Sequence, residues 1–177
     1  MPHPDSDALA RAESLIALIP DYPQPGVLFR DIAPLLADGP ALRATIDALV
    51  APFAGGFDVV AGVEARGFLL AGAAAIASGV GLVPIRKAGK LPRPAAAVDY
   101  ALEYATATIE MHDDIPAGAR VLLIDDVLAT GGTLAAAREL VHRVGGEVAG
   151  ITVLMELEDL GGRAVLGDPG LHAVFRA

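Results

Sequence analysis

The sequence predicts an α/β fold, a parallel sheet with helices on both faces, and three observations carry that expectation. Short apolar segments alternate with segments of helical period. The apolar segments are apolar throughout rather than at every second residue, as strands covered on both faces must be. Glycine and proline punctuate the junctions. The strands expected on this basis are residues 57–63 (FDVVAGV), 82–85, 121–124 (VLLI) and 147–155. The helices between them are residues 67–78 and 134–144. The second carries Leu134, Ala137, Leu140, Val141 and Val144 on one face and stops at Gly145-Gly146. Upstream, residues 8–19 have a helical period through Leu9, Ala12, Leu15, Ile16 and Ile19, with Asp5 to Asp7 as N-caps. Pro20, Pro23 and Pro25 end that helix and open an irregular segment, and a further helix is expected over residues 40–53 with Pro40 in its first turn.

One stretch breaks the rhythm. Residues 86–94 (RKAGKLPRP) are basic and proline-rich, and residues 101–111 (ALEYATATIEM) alternate in polarity, which predicts a half-exposed antiparallel ribbon. An excursion of that length inside a compact domain reads as a functional lid.

Length and composition bound the function. A chain of 177 residues is expected to form one domain spanning residues 1–177. With 54% hydrophobic and 20% charged residues it is not disordered, and with 5% aromatics its core must be aliphatic. The absence of cysteine excludes disulfides and thiolate metal sites. His3, His112, His142 and His172 are scattered, without zinc-site spacing. A formal charge of −9 argues against nucleic-acid and acidic-membrane partners. It still permits a small anionic substrate where cations gather, and Arg86, Lys87, Lys90 and Arg93 do gather, in a chain with only 13 Lys and Arg. Residues 67–85 are uncharged and long enough for a membrane span. They are rich in Ala and Gly and broken by Ser78-Gly79, Gly81 and Pro84, so a buried helix and strand are expected instead. The acidic start, MPHPDSDALA, has no apolar core, and a cytoplasmic protein is expected.

The strongest chemical signal is residues 121–133, VLLIDDVLATGGT. An apolar strand delivers Asp125 and Asp126 at its carboxyl end, and Ala129, Thr130, Gly131, Gly132 and Thr133 then turn into a helix. Glycines let backbone amides approach a phosphate, and the helix N-terminus favours an anion. Adjacent carboxylates suit the two hydroxyls of a ribose and favour positive charge developing on the sugar. Taken singly, the acid pair or the TGGT turn also suits a plain helix N-cap after a strand, or a flavodoxin-like phosphoacceptor site.

In its complete order the string resembles the binding motif for 5-phosphoribosyl-1-pyrophosphate (PRPP) of type I phosphoribosyltransferases. That resemblance implies ribose 5-phosphate on Ala129 to Thr133 and ribose hydroxyls on Asp125 and Asp126. Three further stretches, DYPQPGVLFRDIAPLL (residues 21–36), GVEARGF (62–68) and PIRKAGKLP (84–92) followed by LEY (102–104), resemble the adenine phosphoribosyltransferases in order and spacing. The match runs from about the twentieth residue to beyond Leu160.

The resemblance implies the type I fold, with a small N-terminal hood and a flexible lid ribbon, and the reaction adenine + PRPP → AMP + pyrophosphate. It implies that Glu64, Ala65 and Arg66 form the pyrophosphate turn, with a cis peptide between Glu64 and Ala65. Arg66 would clamp phosphate oxygens; a plain ion pair with Glu64 is the other role open to it. Arg86, Lys87 and Lys90 would neutralise the leaving pyrophosphate. Leu28, Phe29 and Arg30 would form the base site, Phe29 stacking on the purine and the Arg30 carbonyl accepting from the exocyclic amine, with Leu157 over the other face. Glu103 matches the catalytic glutamate. Ala105 stands where glycine is usual, which bears on lid motion. Mg2+ held mainly through PRPP and pyrophosphate, and a homodimer, are also implied. Another purine phosphoribosyltransferase, for xanthine or guanine, and a non-catalytic PRPP-sensing regulator are the alternatives.

Overall fold

The computed structural model describes residues 6–101 and 106–177. Its centre is a seven-stranded sheet built from β3 (Val59–Val63), β4 (Gly81–Lys87), β5 (Ala96–Ala101), β6 (Thr106–Met111), β7 (Arg120–Leu128), β8 (Glu147–Glu156) and β9 (His172–Arg176). The spatial order is β5-β6-β4-β3-β7-β8-β9. The pairs β4–β3, β3–β7, β7–β8 and β8–β9 are parallel. The β5–β6 ribbon is antiparallel, and it joins the sheet where Arg86 and Lys87 pair with Glu110 and Ile109. The sheet is therefore mixed, its parallel part extended by the ribbon that alternation predicted. The ribbon covers the edge that β4 would otherwise present to solvent.

Strand parity divides the core in two. Val59, Ala61, Val63, Val121, Leu123, Ile151 and Val153 face one side and pack with Leu134, Ala137, Leu140 and Val141 of α5 (Gly132–Arg143). Val60, Leu122, Ile124 and Leu154 face the other side. They pack against α1 (Ser6–Ser14), α3 (Gly39–Val50) and α4 (Arg66–Ser78) through Ala12, Ile46, Leu49, Leu70 and Ala74. The uncharged stretch of residues 67–85 resolves, as expected, into α4 and β4. Among the described residues no helix is long and apolar enough to cross a membrane.

The N-terminal segment departs from its sequence pattern. The first helix stops at Ser14, and Ala17–Pro20 forms β1, paired antiparallel with β2 (Leu28–Asp31). The apolar period that extended the helix to Ile19 is a coincidence of two elements, since Leu18 and Ile19 are exposed on the ribbon. The turn between β1 and β2 closes by Tyr22 N–H donating to the Val27 carbonyl and by Gly26 N–H donating to the Asp21 carboxylate at 2.8 Å. A short α2 (Ala33–Ala37) follows, and Asp38 caps α3 by accepting from Ala41 N–H at 3.0 Å. At the other end, α6 (Gly162–Leu166) and β9 had no expectation attached to them.

Candidate active site

Three strand ends converge: β3 runs into Glu64-Ala65 and the start of α4, β4 into the basic residues, and β7 into the glycine turn before α5. Ligands of open α/β sheets bind at this carboxyl edge.

Strand β7 is longer than its apolar run. It continues through both aspartates to Leu128, because β8 keeps pairing with it, Asp125 opposite Val153 and Leu128 opposite Glu156. Asp125 and Asp126 are consequently buried, at 8% and 9% exposure. Asp126 N–H donates to Asp125 Oδ1 at 2.8 Å. Burial, then the charge of Asp126, push the Asp125 carboxyl well above its ordinary value, against the opposing pull of the Asp126 N–H and Arg66. Gly67 makes this packing possible. A β-carbon there would lie 2.9 Å from Asp125 Oδ1 and 3.0 Å from the Ile124 carbonyl oxygen, so only glycine lets α4 start against β7.

Beyond Leu128, a cavity of about 240 Å³ is lined by Ala129, Thr130, Gly131 and Thr133, by both aspartates, and by Glu64, Lys87 and Tyr100. Gly131 takes φ +85°, and Gly132 opens α5. The turn is braced from behind. A β-carbon on Gly162, in α6, would sit 2.2 Å from the Ala129 carbonyl oxygen and 3.0 Å from the Gly131 nitrogen.

The cations at the end of β4 surround Glu64. Its Oε2 accepts from Lys87 N–H at 3.0 Å and from Arg86 Nε at 3.4 Å, and Lys90 Nζ pairs with its Oε1. Burial works to raise the Glu64 carboxyl, but Lys90, the Lys87 N–H and Arg86 together hold it below the usual carboxylate value. Arg86 also donates to the Lys90 carbonyl at 3.2 Å, and Gly89 N–H donates to the Glu110 carboxylate at 3.1 Å, so residues 86–90 fold back as a compact arm. Arg93, the fourth cation of the run, stands exposed after it. The peptide between Glu64 and Ala65 is cis.

Arg66 does not pair with Glu64. It bridges two parts of the site, with Nη2 2.7 Å from Asp126 Oδ2 and Nη1 donating to the Arg30 carbonyl at 3.2 Å. Its guanidinium carbon lies 5.0 Å from the centre of the Phe29 ring. Tyr22 meets the same ring edge-on at 5.1 Å. Leu28, Phe29, Arg30 and Arg66, with Val127 and Leu157, line a mostly apolar cavity of about 140 Å³. Glu103, with Leu102, Tyr104 and Ala105, lies outside the described residues.

The family model for the phosphoribosyl transferase domain matches residues 35–164. An adenine phosphoribosyltransferase of Arthrobacter sp. (strain FB24) is 59% identical over 92% of this chain and 89% of its own length. The chain belongs to the adenine phosphoribosyltransferase family. Solved relatives agree in fold. A crystal structure of adenine phosphoribosyltransferase from Rhodothermus marinus superposes with a TM-score of 0.91 at 46% identity, covering 98% of this chain and all (100%) of that one. The enzyme from Saccharomyces cerevisiae was solved in complex with an imino-altritol bisphosphate and adenine. It superposes with a TM-score of 0.89 at 35% identity, over 96% of this chain and 99% of that one.

Family membership accords with the type I fold expected from the motifs. The structure also adds residues that sequence reasoning passed over. Tyr100 reaches the cavity beside the glycine turn from β5, Val127 lines the apolar cavity at Phe29, and Gly67 and Gly162 make room for the acids and the turn. Tyr100 falls between the basic stretch and the alternating run, where no pattern marks it, and a Gly161-Gly162 pair reads locally as a loop.

Proposed function

We propose that this chain, as one domain, transfers the phosphoribosyl group of PRPP to adenine, releasing AMP and pyrophosphate. The observation that carries the reading is the placement of Arg66 between Asp126 and the Arg30–Phe29 wall, which sets a ribose-sized acidic cavity beside a ring-sized apolar one. The C1–oxygen bond to pyrophosphate breaks, its electron pair leaving with pyrophosphate, and a purine ring nitrogen forms the new bond to C1. Ala129 to Thr133 hold the 5-phosphate through backbone donors and the Thr130 and Thr133 hydroxyls. Asp125 and Asp126 hold the ribose hydroxyls and stabilise the oxocarbenium-like sugar. The Glu64-Ala65 turn, Arg66, Arg86, Lys87 and Lys90 receive the pyrophosphate.

The Arg30 carbonyl oxygen, which accepts from Arg66, has a second lone pair for the exocyclic amine of adenine. Phe29 and Leu157 then enclose the ring, and Glu103 manages the proton on its imidazole portion. Among the described residues no group of three or more His, Asp or Glu could hold a metal ion. The paired carboxylates Asp125 and Asp126 beside a polyphosphate site fit Mg2+ carried mainly by substrate oxygens, which would neutralise charge on the leaving group. A β1–β2 hood and a lid formed by the β5–β6 ribbon belong to the same reading, as does a cytoplasmic location. A homodimer does too. Leu69 and Ile76, 57% and 86% exposed on α4, stand on an apolar face that a second copy would cover.

The test is AMP formation from PRPP, Mg2+ and adenine, beside hypoxanthine, guanine and xanthine. Product with adenine alone is expected. Product only with an oxopurine would overturn the assignment around Phe29. PRPP binding without any product would favour a regulator.

A further inference from the structure

Glu64 stands at the pyrophosphate end of the site, yet its side chain is a carboxylate there and cannot donate to a phosphate oxygen. What it does in this structure is hold the cations. One oxygen takes Lys90, and the other takes Arg86 Nε and the Lys87 N–H. Its side chain is only 9% exposed, whereas those of Arg86 and Lys90 are 35% and 49% exposed. Glu64 also lines the same cavity as Lys87 and the two aspartates. An anion of higher charge entering that cavity meets two cations, Arg86 and Lys90, already paired with a weaker one, beside the backbone N–H of Lys87.

We infer that Glu64 is a displaceable internal counter-ion for the diphosphate group. It keeps the 86–90 arm folded and charge-compensated before PRPP binds, yields the cations to the diphosphate, and takes them back as the product leaves. The inference rests on the pyrophosphate reading of this end of the site. Without a competing carboxylate, cations clustered around a departing tri- or tetra-anion would hold it and delay turnover. The competition costs affinity for diphosphate and gains speed of release.

Sign separates this role from a purely structural one. If Glu64 only braces the arm, removing its charge loosens the arm and weakens diphosphate binding. If it competes with diphosphate, removing its charge tightens binding. The experiment is a calorimetric titration of inorganic diphosphate with Mg2+ into the intact wild-type chain and Glu64→Gln, with AMP titrated in parallel and thermal melts of both proteins. Diphosphate is expected to bind Glu64→Gln about fivefold tighter or more. Stronger product inhibition and a lower kcat should accompany it, with AMP affinity little changed. Equal or weaker diphosphate binding overturns the inference. Should Glu64→Gln fail to fold, Glu64→Asp keeps the charge but shortens its reach. A smaller tightening is expected there, and none overturns the inference equally. AMP synthesis by wild type with no tightening in the variants would remove the Glu64 role alone. A wild type that neither binds diphosphate nor makes AMP would remove the pyrophosphate reading with it.

Discussion

The turn after β7 and the arm after β4 face the same cavity, but they are built from different materials. The turn at residues 129–133 is made of backbone, a Gly131 at φ +85° braced by Gly162 and leading straight into α5. The arm at residues 86–90 is made of side-chain charge and leans on Glu64. Neutral amides can stand ready for an anion without a partner, because their dipoles are fixed by the fold and cost no net charge. Cations gathered at a partly enclosed site repel one another, and here the carboxylate of Glu64 compensates Arg86 and Lys90.

The acid pair joins the two regions, and perturbing it should have the largest effect. Asp125→Asn is expected to lower kcat/KM by about 10²- to 10³-fold, read in steady-state AMP assays. It should also stabilise the ligand-free protein at neutral pH. The folded carboxyl is raised above its unfolded value, so its contribution to stability is complete below the unfolded pKa and is lost as pH rises through the folded one. Melting curves should show the variant ahead at pH 7 and the gap closing towards pH 4. A variant no more stable at pH 7 would mean that the pair is already well solvated.

Breaking the backbone-built side comes next. Gly162→Ala places a methyl group 2.2 Å from the Ala129 carbonyl oxygen, and the turn must shift. Misplacing the phosphate donors by about 1 Å is expected to cost about 10²-fold in kcat/KM. Affinity for ribose 5-phosphate should fall with it, while diphosphate binding stays within a fewfold. Loss of both affinities together would show that the two regions are not separable.

On the charge-built side, Lys90→Met removes one cation and frees one Glu64 oxygen. An increase of about tenfold in the KM for PRPP is expected, with a smaller change in the KM for adenine. The smallest effect is that of salt. Raising ionic strength from about 0.05 to 0.5 M should weaken diphosphate binding severalfold, and ribose 5-phosphate binding less, because exposed cations are screened while enclosed amides are not. Equal salt sensitivity would erase the distinction between the two regions.

How much of this was legible depended on whether the information was local. The 121–133 string reads as strand, acids and turn because each feature lies within a few residues of the next. Even so, the apolar pattern ends the strand at Ile124, while pairing with β8 carries it on to Leu128. The partner of Arg66 was open between phosphate and Glu64, its sequence neighbour. It is Asp126, sixty residues away, because α4 starts against β7 and points Arg66 across the strand end. The apolar period through residues 15–19 suggests more helix, and pairing of residues 17–20 with residues 28–31 makes its end a strand.

By itself the sequence determined the alternation of strands and helices, the glycine turn that opens α5, the acids beside it and the basic run after β4. Those depend on residue type and short spacing, which act through local backbone preference and burial. Only the tertiary structure decided which charges pair, which glycines brace the turn before α5, and that Tyr100 of the ribbon reaches the cavity. Those depend on segments brought together by packing, and no local pattern encodes which distant side chain will meet a given carboxylate.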